Sequence, residues 1–194
     1  MQPKMQRGDA LIIVAVQRDF CAGGALPVPD GDEVVTVLNQ WIEAAEGVGA
    51  LIYASRDWRP RTHVSFTERG GPWPAHCIQD TPGAQFHPDL RLPPSAIVVS
   101  KGVRFDKDQN SAFDDTGLAV ELHQRGVDRI WVGGLAQDVC VRATVLDAVR
   151  EGFEVHVIAA ATKPVRQEDG QRALDEIRRA GAMIAQADSV ARPQ

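Results

Sequence analysis

Short apolar segments rich in β-branched residues recur along the chain and alternate with segments of helical period. The apolar segments lack polar alternation, which is typical of strands buried on both faces. They span residues 10–16, 50–55, 96–100, 129–132 and 153–158, and a shorter one spans 183–185. Apolar side chains recur on one helical face in residues 34–46, 118–125, 139–149 and 171–179. Because the two kinds of segment alternate, the sequence predicts an α/β fold with a parallel, doubly wound sheet and right-handed crossovers.

Two long segments interrupt this alternation. Residues 57–92 are rich in Pro, Gly and His, and residues 101–116 are polar. Long irregular segments inside a compact domain are usually functional. Both begin at the carboxyl end of a predicted strand, where parallel sheets bind their ligands. We therefore expect the functional site at this edge of the sheet.

The size and charge of the chain limit its functional class. A length of 194 residues suits a single domain spanning residues 1–194, and the net charge of −5 argues against a broad nucleic-acid or acidic-membrane surface. The sequence contains no apolar run long enough to span a membrane and no signal-peptide pattern. The three cysteines are an odd, widely spaced set, so we expect free thiols and a cytoplasmic protein.

Cys140 has the sequence context of a nucleophile. A predicted strand at residues 129–132 leads through Gly133 and Gly134 into a predicted helix, with Asp138 as a candidate N-cap. A cysteine in the first helical turn faces unpaired N–H groups and the positive end of the dipole, which favour the thiolate. The alternative is a buried structural cysteine. Cys21 and Cys77 lack this setting and are interpreted as structural.

Lys101 follows the predicted strand at residues 96–100, at the edge of the sheet where site residues gather. Its ammonium group could stabilise a thiolate or an anionic intermediate. The alternative is a lysine whose charged end reaches solvent.

Candidate metal ligands occur in the first irregular segment. Asp57, His63 and His76 offer a carboxylate and two imidazoles, a set that suits zinc, iron or manganese. Their spacing is irregular, and the alternative is a pair of surface histidines in a loop.

Five sequence blocks in order resemble the nicotinamidase branch of the isochorismatase-like cysteine hydrolases. The blocks are LIIVAVQRDFCAGGALPVPDGDEVV, SRDWRPRTHVSF, GPWPAHCIQDTPGAQFHPDL, VSKGVRFDKDQNSAFDDTGL and GGLAQDVCVRATVLDAVREGFEV. The resemblance covers nearly the whole chain. It implies a six-stranded parallel sheet flanked by helices on both faces, and hydrolysis of nicotinamide to nicotinate and ammonia.

The resemblance also implies roles for particular residues. The family's catalytic Asp, Lys and Cys match Ala15, Lys101 and Cys140. Its oxyanion hole matches the backbone N–H groups of Ala136 and Cys140, beside a cis peptide at Leu135–Ala136. Its metal ligands match Asp57, His63 and His76, and its substrate pocket matches Phe20, Leu26, Trp73, Asn110 and Val139.

Four positions depart from the family pattern. Ala15 replaces the acid and cannot accept a proton. Arg59 replaces a metal-binding His, and its guanidinium has no acceptor for a cation, so it would either oppose a weakly held metal or pair with Asp57 instead. Asn110 stands where a Tyr is common, and Val139 where an aromatic residue or His is usual.

Three explanations for these departures stay open: an engineered change at Ala15, a natural paralogue that has lost catalysis, and a site retuned for another amide or thiol chemistry. The leading hypothesis is an amidohydrolase acting on nicotinamide or a related carboxamide through Cys140. The alternative is a catalytically inactive ligand- or partner-binding protein on the same scaffold. We expect no nucleic-acid or membrane partner, and a homo-oligomer is left open.

Overall fold

The computed structural model describes residues 3–185. Its strands are β1 (Ala10–Val14), β2 (Leu51–Asp57), β3 (Ile97–Lys101), β4 (Arg129–Leu135), β5 (Glu154–Lys163) and β6 (Met183–Ala185). Its helices are α1 (Glu33–Val48), α2 (Leu118–Gln124), α3 (Arg142–Arg150) and α4 (Gln167–Ala180), and a π-helical turn (Gln137–Val141) precedes α3. Short 3₁₀ turns lie at Arg18–Phe20, Thr67–Arg69 and Pro82–Ala84. The predicted domain, residues 1–194, extends at both ends beyond the described residues.

The six strands form one parallel sheet in the order β3-β2-β1-β4-β5-β6. Along the sequence, β1 to β3 extend the sheet from its centre to one edge, and β4 to β6 then extend it from the other side of β1 to the opposite edge. Right-handed crossovers in these two directions place α1 on one face of the sheet and α2, α3 and α4 on the other. The predicted α/β class, strand number and doubly wound topology are confirmed.

Burial on both faces of the sheet explains why the apolar segments form strands. Every residue of β1 is fully buried, as expected for a central strand covered on both faces. On one face α1 contributes Leu38, Trp41 and Ile42, and the Trp41 ring lies 5.2 Å from that of Trp131 on β4. Among residues 3–185, none of the helices combines the length and apolar character that crossing a bilayer requires.

Several predicted boundaries differ from the structure. β1 ends at Val14 because Ala15 adopts a left-handed backbone, with φ of 49°. β4 continues past its predicted end at residue 132 through both glycines, and Gly134 is required there because a Cβ would lie 2.1 Å from the Val14 carbonyl oxygen.

The helix predicted to begin at residue 139 starts instead with the π-helical turn. The prediction of Asp138 as its N-cap is wrong. The Asp138 carboxylate accepts the N–H of Val165, at 2.9 Å, and so ties the turn to the segment after β5. Ala136 is the residue at the cap position, and its side chain makes no capping hydrogen bond.

Strand register brings two distant polar residues together. In the β2–β3 pair, Asp57 lies directly opposite Lys101, and both are the last residues of their strands. The carboxyl end of β4 leads to Cys140 two strands away from β2. The predicted concentration of polar groups at this edge of the sheet is therefore a consequence of parallel pairing.

Candidate active site

A cavity opens at the carboxyl ends of the strands. The pocket residues predicted from the resemblance, Phe20, Leu26, Trp73, Asn110 and Val139, all line it. The same wall includes Ala136, Cys140, Asp57, Arg59 and His76. Lys101, His63 and Ala15 are fully buried and are not lining residues. The structure thus collects most of the predicted site around one cavity.

Cys140 lies in the π-helical turn after β4 and is 5% exposed. The peptide bond Leu135–Ala136 just before this turn is cis, as the resemblance implied. The Lys101 ammonium lies 3.4 Å from Cys140 Sγ and donates to it. Burial raises the pKa of the Cys140 thiol, and Lys101 and Arg59 counteract part of that effect. The resting group is therefore a thiol at neutral pH, and a nucleophile forms only when its proton is accepted elsewhere.

Lys101 is fully buried, so the alternative of a lysine reaching solvent is wrong. Its ammonium donates to Asp57 Oδ1 as well as to Cys140 Sγ. Burial alone would lower the pKa of Lys101, but the neighbouring Asp57 and Cys140 raise it. Burial alone would raise the pKa of Asp57, whereas Lys101 and Arg59 lower it to about 2. The pair is therefore an ammonium and a carboxylate at neutral pH.

Arg59 extends into the centre of this cluster and is 1% exposed. Its Nη2 lies 3.3 Å from Asp57 Oδ2, and its Nη1 donates to Asp108 Oδ1 at 2.7 Å. Burial opposes the charge on Arg59, but Asp57 and Asp108 raise the pKa of the guanidinium above its ordinary value. Arg59 is thus a permanent cation shared by two carboxylates, and the predicted salt bridge with Asp57 is present.

The two histidines are buried, so the alternative of surface histidines is wrong. His63 Nε2 contacts the Lys107 carbonyl oxygen at 3.0 Å and therefore carries the proton. His63 Nδ1 accepts the backbone N–H of Ser65 at 3.1 Å, and Arg59 Nη1 lies 3.1 Å from the same nitrogen. His76 Nδ1 donates to the Pro74 carbonyl at 2.7 Å. Burial, together with Arg59, lowers the pKa of both imidazoles, so both are neutral.

Three residues that position this site were missed in the sequence. The Gln17 side chain accepts the backbone N–H of Asp57 and donates to its carbonyl, both at 2.8 Å. Gln109 accepts the N–H of Gly102, next to Lys101, at 2.9 Å. Asp108 balances the charge of Arg59. Gln17 lies within the first resemblance block and follows Ala15 closely, which is the one signal that could have found it.

A second group of polar side chains lies outside the Cys140 cavity. Among the described residues, ligand atoms of Cys21, Asp32 and His87 all lie within 4.8 Å of one another. Burial, followed by the charge of Asp32, raises the pKa of Cys21 to about 12. Burial likewise raises the pKa of Cys77. Neither thiol is activated, in agreement with the structural role predicted for both.

Two solved structures of similar fold were determined with a bound ligand. A pyrazinamidase from Pyrococcus horikoshii, crystallised in complex with zinc, is 49% identical to this chain, with a TM-score of 0.90 over 92% of this chain and 99% of that one. PnC1 from L. infantum, in complex with nicotinate, is 34% identical, with a TM-score of 0.89 over 98% of each chain.

Sequence comparisons agree with the structural ones. The isochorismatase domain matches residues 9–189. The nicotinamidase of Escherichia coli is 38% identical over 90% of this chain and 93% of its own length. The chain therefore belongs to the isochorismatase family, within its nicotinamidase branch.

Proposed function

We propose that this protein hydrolyses nicotinamide, or a closely related carboxamide, to the acid and ammonia, with Cys140 as the nucleophile. The observation that carries the proposal is the contact between the buried Lys101 ammonium and Cys140 Sγ at the edge of the cavity. A thiol beside a fixed cation is the arrangement that activates cysteine for covalent catalysis.

The shape of the cavity supports a small, planar substrate. Phe20 and Trp73 contribute aromatic walls, and Leu26 and Val139 add apolar ones. Such walls suit the face of a pyridine ring, and the polar group of Asn110 offers hydrogen bonds to the carboxamide or the ring nitrogen. PnC1 from L. infantum binds nicotinate on the same fold, which supports a substrate of this class.

The proposed reaction runs through a thioester. The Cys140 thiolate attacks the carboxamide carbon, and the backbone N–H groups of Ala136 and Cys140 hold the resulting oxyanion. The C–N bond breaks, ammonia leaves, and water hydrolyses the thioester to release the acid and the thiol. The Lys101 ammonium stabilises the thiolate as it forms before attack and as it leaves the thioester.

Of the three candidate metals, zinc has the most support. The P. horikoshii relative was crystallised with it, and thiolate, imidazole and carboxylate are common zinc ligands. On the side chains present, Cys21, Asp32 and His87 would hold the ion, at a place from which it takes no part in the steps above. Elemental analysis of the purified protein identifies the metal.

Ammonia release from nicotinamide tests the proposed function. The wild-type protein should release ammonia with saturation kinetics, and Cys140→Ala should abolish turnover because no other thiol is activated. The matched control, Cys21→Ala, should keep turnover because that thiol lies outside the cavity. Absence of turnover in the wild type, combined with a nicotinamide-induced rise in its melting temperature, would favour the binding-protein alternative.

A further inference from the structure

Ala15 leaves the nucleophile without the acid that the resemblance places beside it. Ala15 is fully buried, and its backbone N–H donates to the Ser55 carbonyl. The next acidic residue along the chain, Asp19, has its carboxylate bound to the N–H groups of Ala25 and Cys77. Neither position supplies a carboxylate to Lys101.

Asp57 supplies one instead. Its side chain is 1% exposed, and its Oδ1 accepts a hydrogen bond from Lys101, whose Nζ also contacts Cys140 Sγ. A continuous chain of hydrogen bonds therefore runs from the thiol to a buried carboxylate. The Gln17 side chain donates to the Asp57 carbonyl and accepts the Asp57 N–H, so the backbone that carries the carboxylate is held in this position.

Asp57 is available for this contact because the predicted ligand set does not fit a metal ion. Both ring nitrogens of His63 are already hydrogen-bonded, to Ser65 and Lys107, and the Arg59 guanidinium lies between His63 and Asp57. Only Asp57 and His76 remain, fewer than the three protein ligands of ordinary zinc sites. Gly102 allows this placement, since a Cβ there would already lie 3.3 Å from the Arg59 side chain.

The burial of Arg59 leaves one of its hydrogen-bond donors without a partner. Among the described residues, two buried side-chain polar atoms have no hydrogen-bond partner, and Arg59 Nε is one of them. Such an orphaned donor costs about 1–3 kcal/mol, so the residue is more readily explained by its charge than by its packing. Together with Lys101, Arg59 balances the charges of Asp57 and Asp108.

We propose that the site has been rebuilt without its metal: the Arg59 guanidinium occupies the metal's place, and Asp57 serves as the carboxylate partner of Lys101 that Ala15 lacks. This inference rests on the proposed function and adds to it the residue that holds the Lys101 ammonium beside the sulfur. Asp57 acts through Lys101 and is a positioning residue. Lys101 is the catalytic residue that touches the reacting sulfur.

The proton transfers balance along this chain. Lys101 takes the thiol proton of Cys140 as the sulfur attacks the carboxamide carbon, and it gives one of its own protons to the amide nitrogen. Lys101 therefore remains an ammonium, and Asp57 remains the carboxylate that holds it. The C–N bond then breaks and ammonia leaves. No metal, oxidant or other co-reactant is required.

Kinetics of carboxylate variants test the role of Asp57. Asp57→Asn should lower kcat for nicotinamide by at least about 100-fold, the usual size of a general acid–base contribution. The matched control is Asp9→Asn, another buried carboxylate, which should leave kcat within about twofold. Adding Ala15→Asp to Asp57→Asn should raise kcat at least about tenfold above that of Asp57→Asn alone. Position 15 tolerates Asp because its left-handed backbone suits Asp better than Ala.

Recovery of kcat by an aspartate at position 15, which follows β1, is not expected if Asp57 has a purely structural role. The inference fails if Asp57→Asn retains kcat within about threefold of wild type. It also fails if both Asp57 variants fold, by circular dichroism, and Ala15→Asp restores nothing. Turnover that appears only in the single variant Ala15→Asp would equally overturn it, because Asp57 would then not replace the acid.

Zinc binding gives a readout that is independent of turnover. Wild-type protein that has been treated with a chelator, reloaded with zinc and gel-filtered should hold the same amount of zinc as Asp57→Asn treated in the same way. Zinc that is lost in Asp32→Asn but retained in Asp57→Asn is bound by the group of Cys21, Asp32 and His87, and this result agrees with the proposal. One equivalent lost in Asp57→Asn would overturn it. If the wild type releases no ammonia, the proposed function fails, and this measurement still decides whether Arg59 excludes a metal.

Discussion

Two buried carboxylates at opposite ends of the sheet are held in different ways. Asp9 lies just before β1 and is 3% exposed, and Asp57 ends β2 and is 1% exposed. Asp9 Oδ2 accepts the Trp131 indole N–H at 2.9 Å and the Gln6 backbone N–H at 3.1 Å, with one partly exposed cation, Arg129, at 3.0 Å. Asp57 is held by two buried cations.

We infer from this difference that Asp9 supports the fold, whereas Asp57 supports the chemistry proposed for Cys140. Neutral N–H donors of Trp131 and Gln6 bind Asp9 and link the start of β1 to β4, and Asp9 does not line the Cys140 cavity. Buried ion pairs seldom stabilise a fold relative to apolar packing, because removing two charges from water is costly. The charges around Asp57 are therefore better explained by the thiol that Lys101 contacts.

The largest expected effect follows from removing the cation shared by Asp57 and Cys140. Lys101→Met should abolish turnover and lower the free energy of unfolding by about 3 kcal/mol, because it breaks a fully buried ion pair. Urea unfolding and ammonia release measure the two effects. Full stability in this variant would mean that Arg59 alone satisfies Asp57, and the contrast between the two carboxylates would weaken.

A smaller effect should appear with pH. The pKa of Asp57 is about 2 in the folded protein, below its ordinary value, so its carboxylate stabilises the fold above pH 4. That contribution, about 2 kcal/mol, is lost as the pH falls through the folded pKa. Urea unfolding from pH 6 to pH 2.5 measures the free energy of unfolding of wild type and of Asp57→Asn. The advantage of the wild type over the variant should decrease as the pH falls. A constant difference would contradict the pairing.

The smallest effect is expected at the other carboxylate. Arg129→Met removes the partly exposed cation near Asp9 but leaves the Trp131 and Gln6 donors in place. The free energy of unfolding should fall by about 1.5 kcal/mol, less than in Lys101→Met, because Asp9 keeps its two neutral donors, and kcat should be unchanged. A loss as large as that of Lys101→Met would show that Asp9 also depends on ionic pairing.

Much of the fold could be predicted because its signals are local. The apolar β-branched segments, including residues 10–16, 129–132 and 153–158, lie on observed strands, although the end of β1 and the lengths of β4 and β5 were missed. Those boundaries depend on contacts between strands, such as the close approach of Gly134 to Val14. The π-helical turn at Cys140 likewise depends on what Asp138 bonds to, and its partner Val165 is distant in sequence.

The sequence by itself determined the sheet, the family and the residue types around Cys140. It showed that an acid is missing at Ala15 and that a cation stands at Arg59. Only the tertiary structure decided how these two departures fit together. Register between parallel strands places Asp57 opposite Lys101 although 44 residues separate them. Pairing across a sheet depends on the whole fold, so no local pattern could show that one carboxylate lies within reach of the lysine beside Cys140.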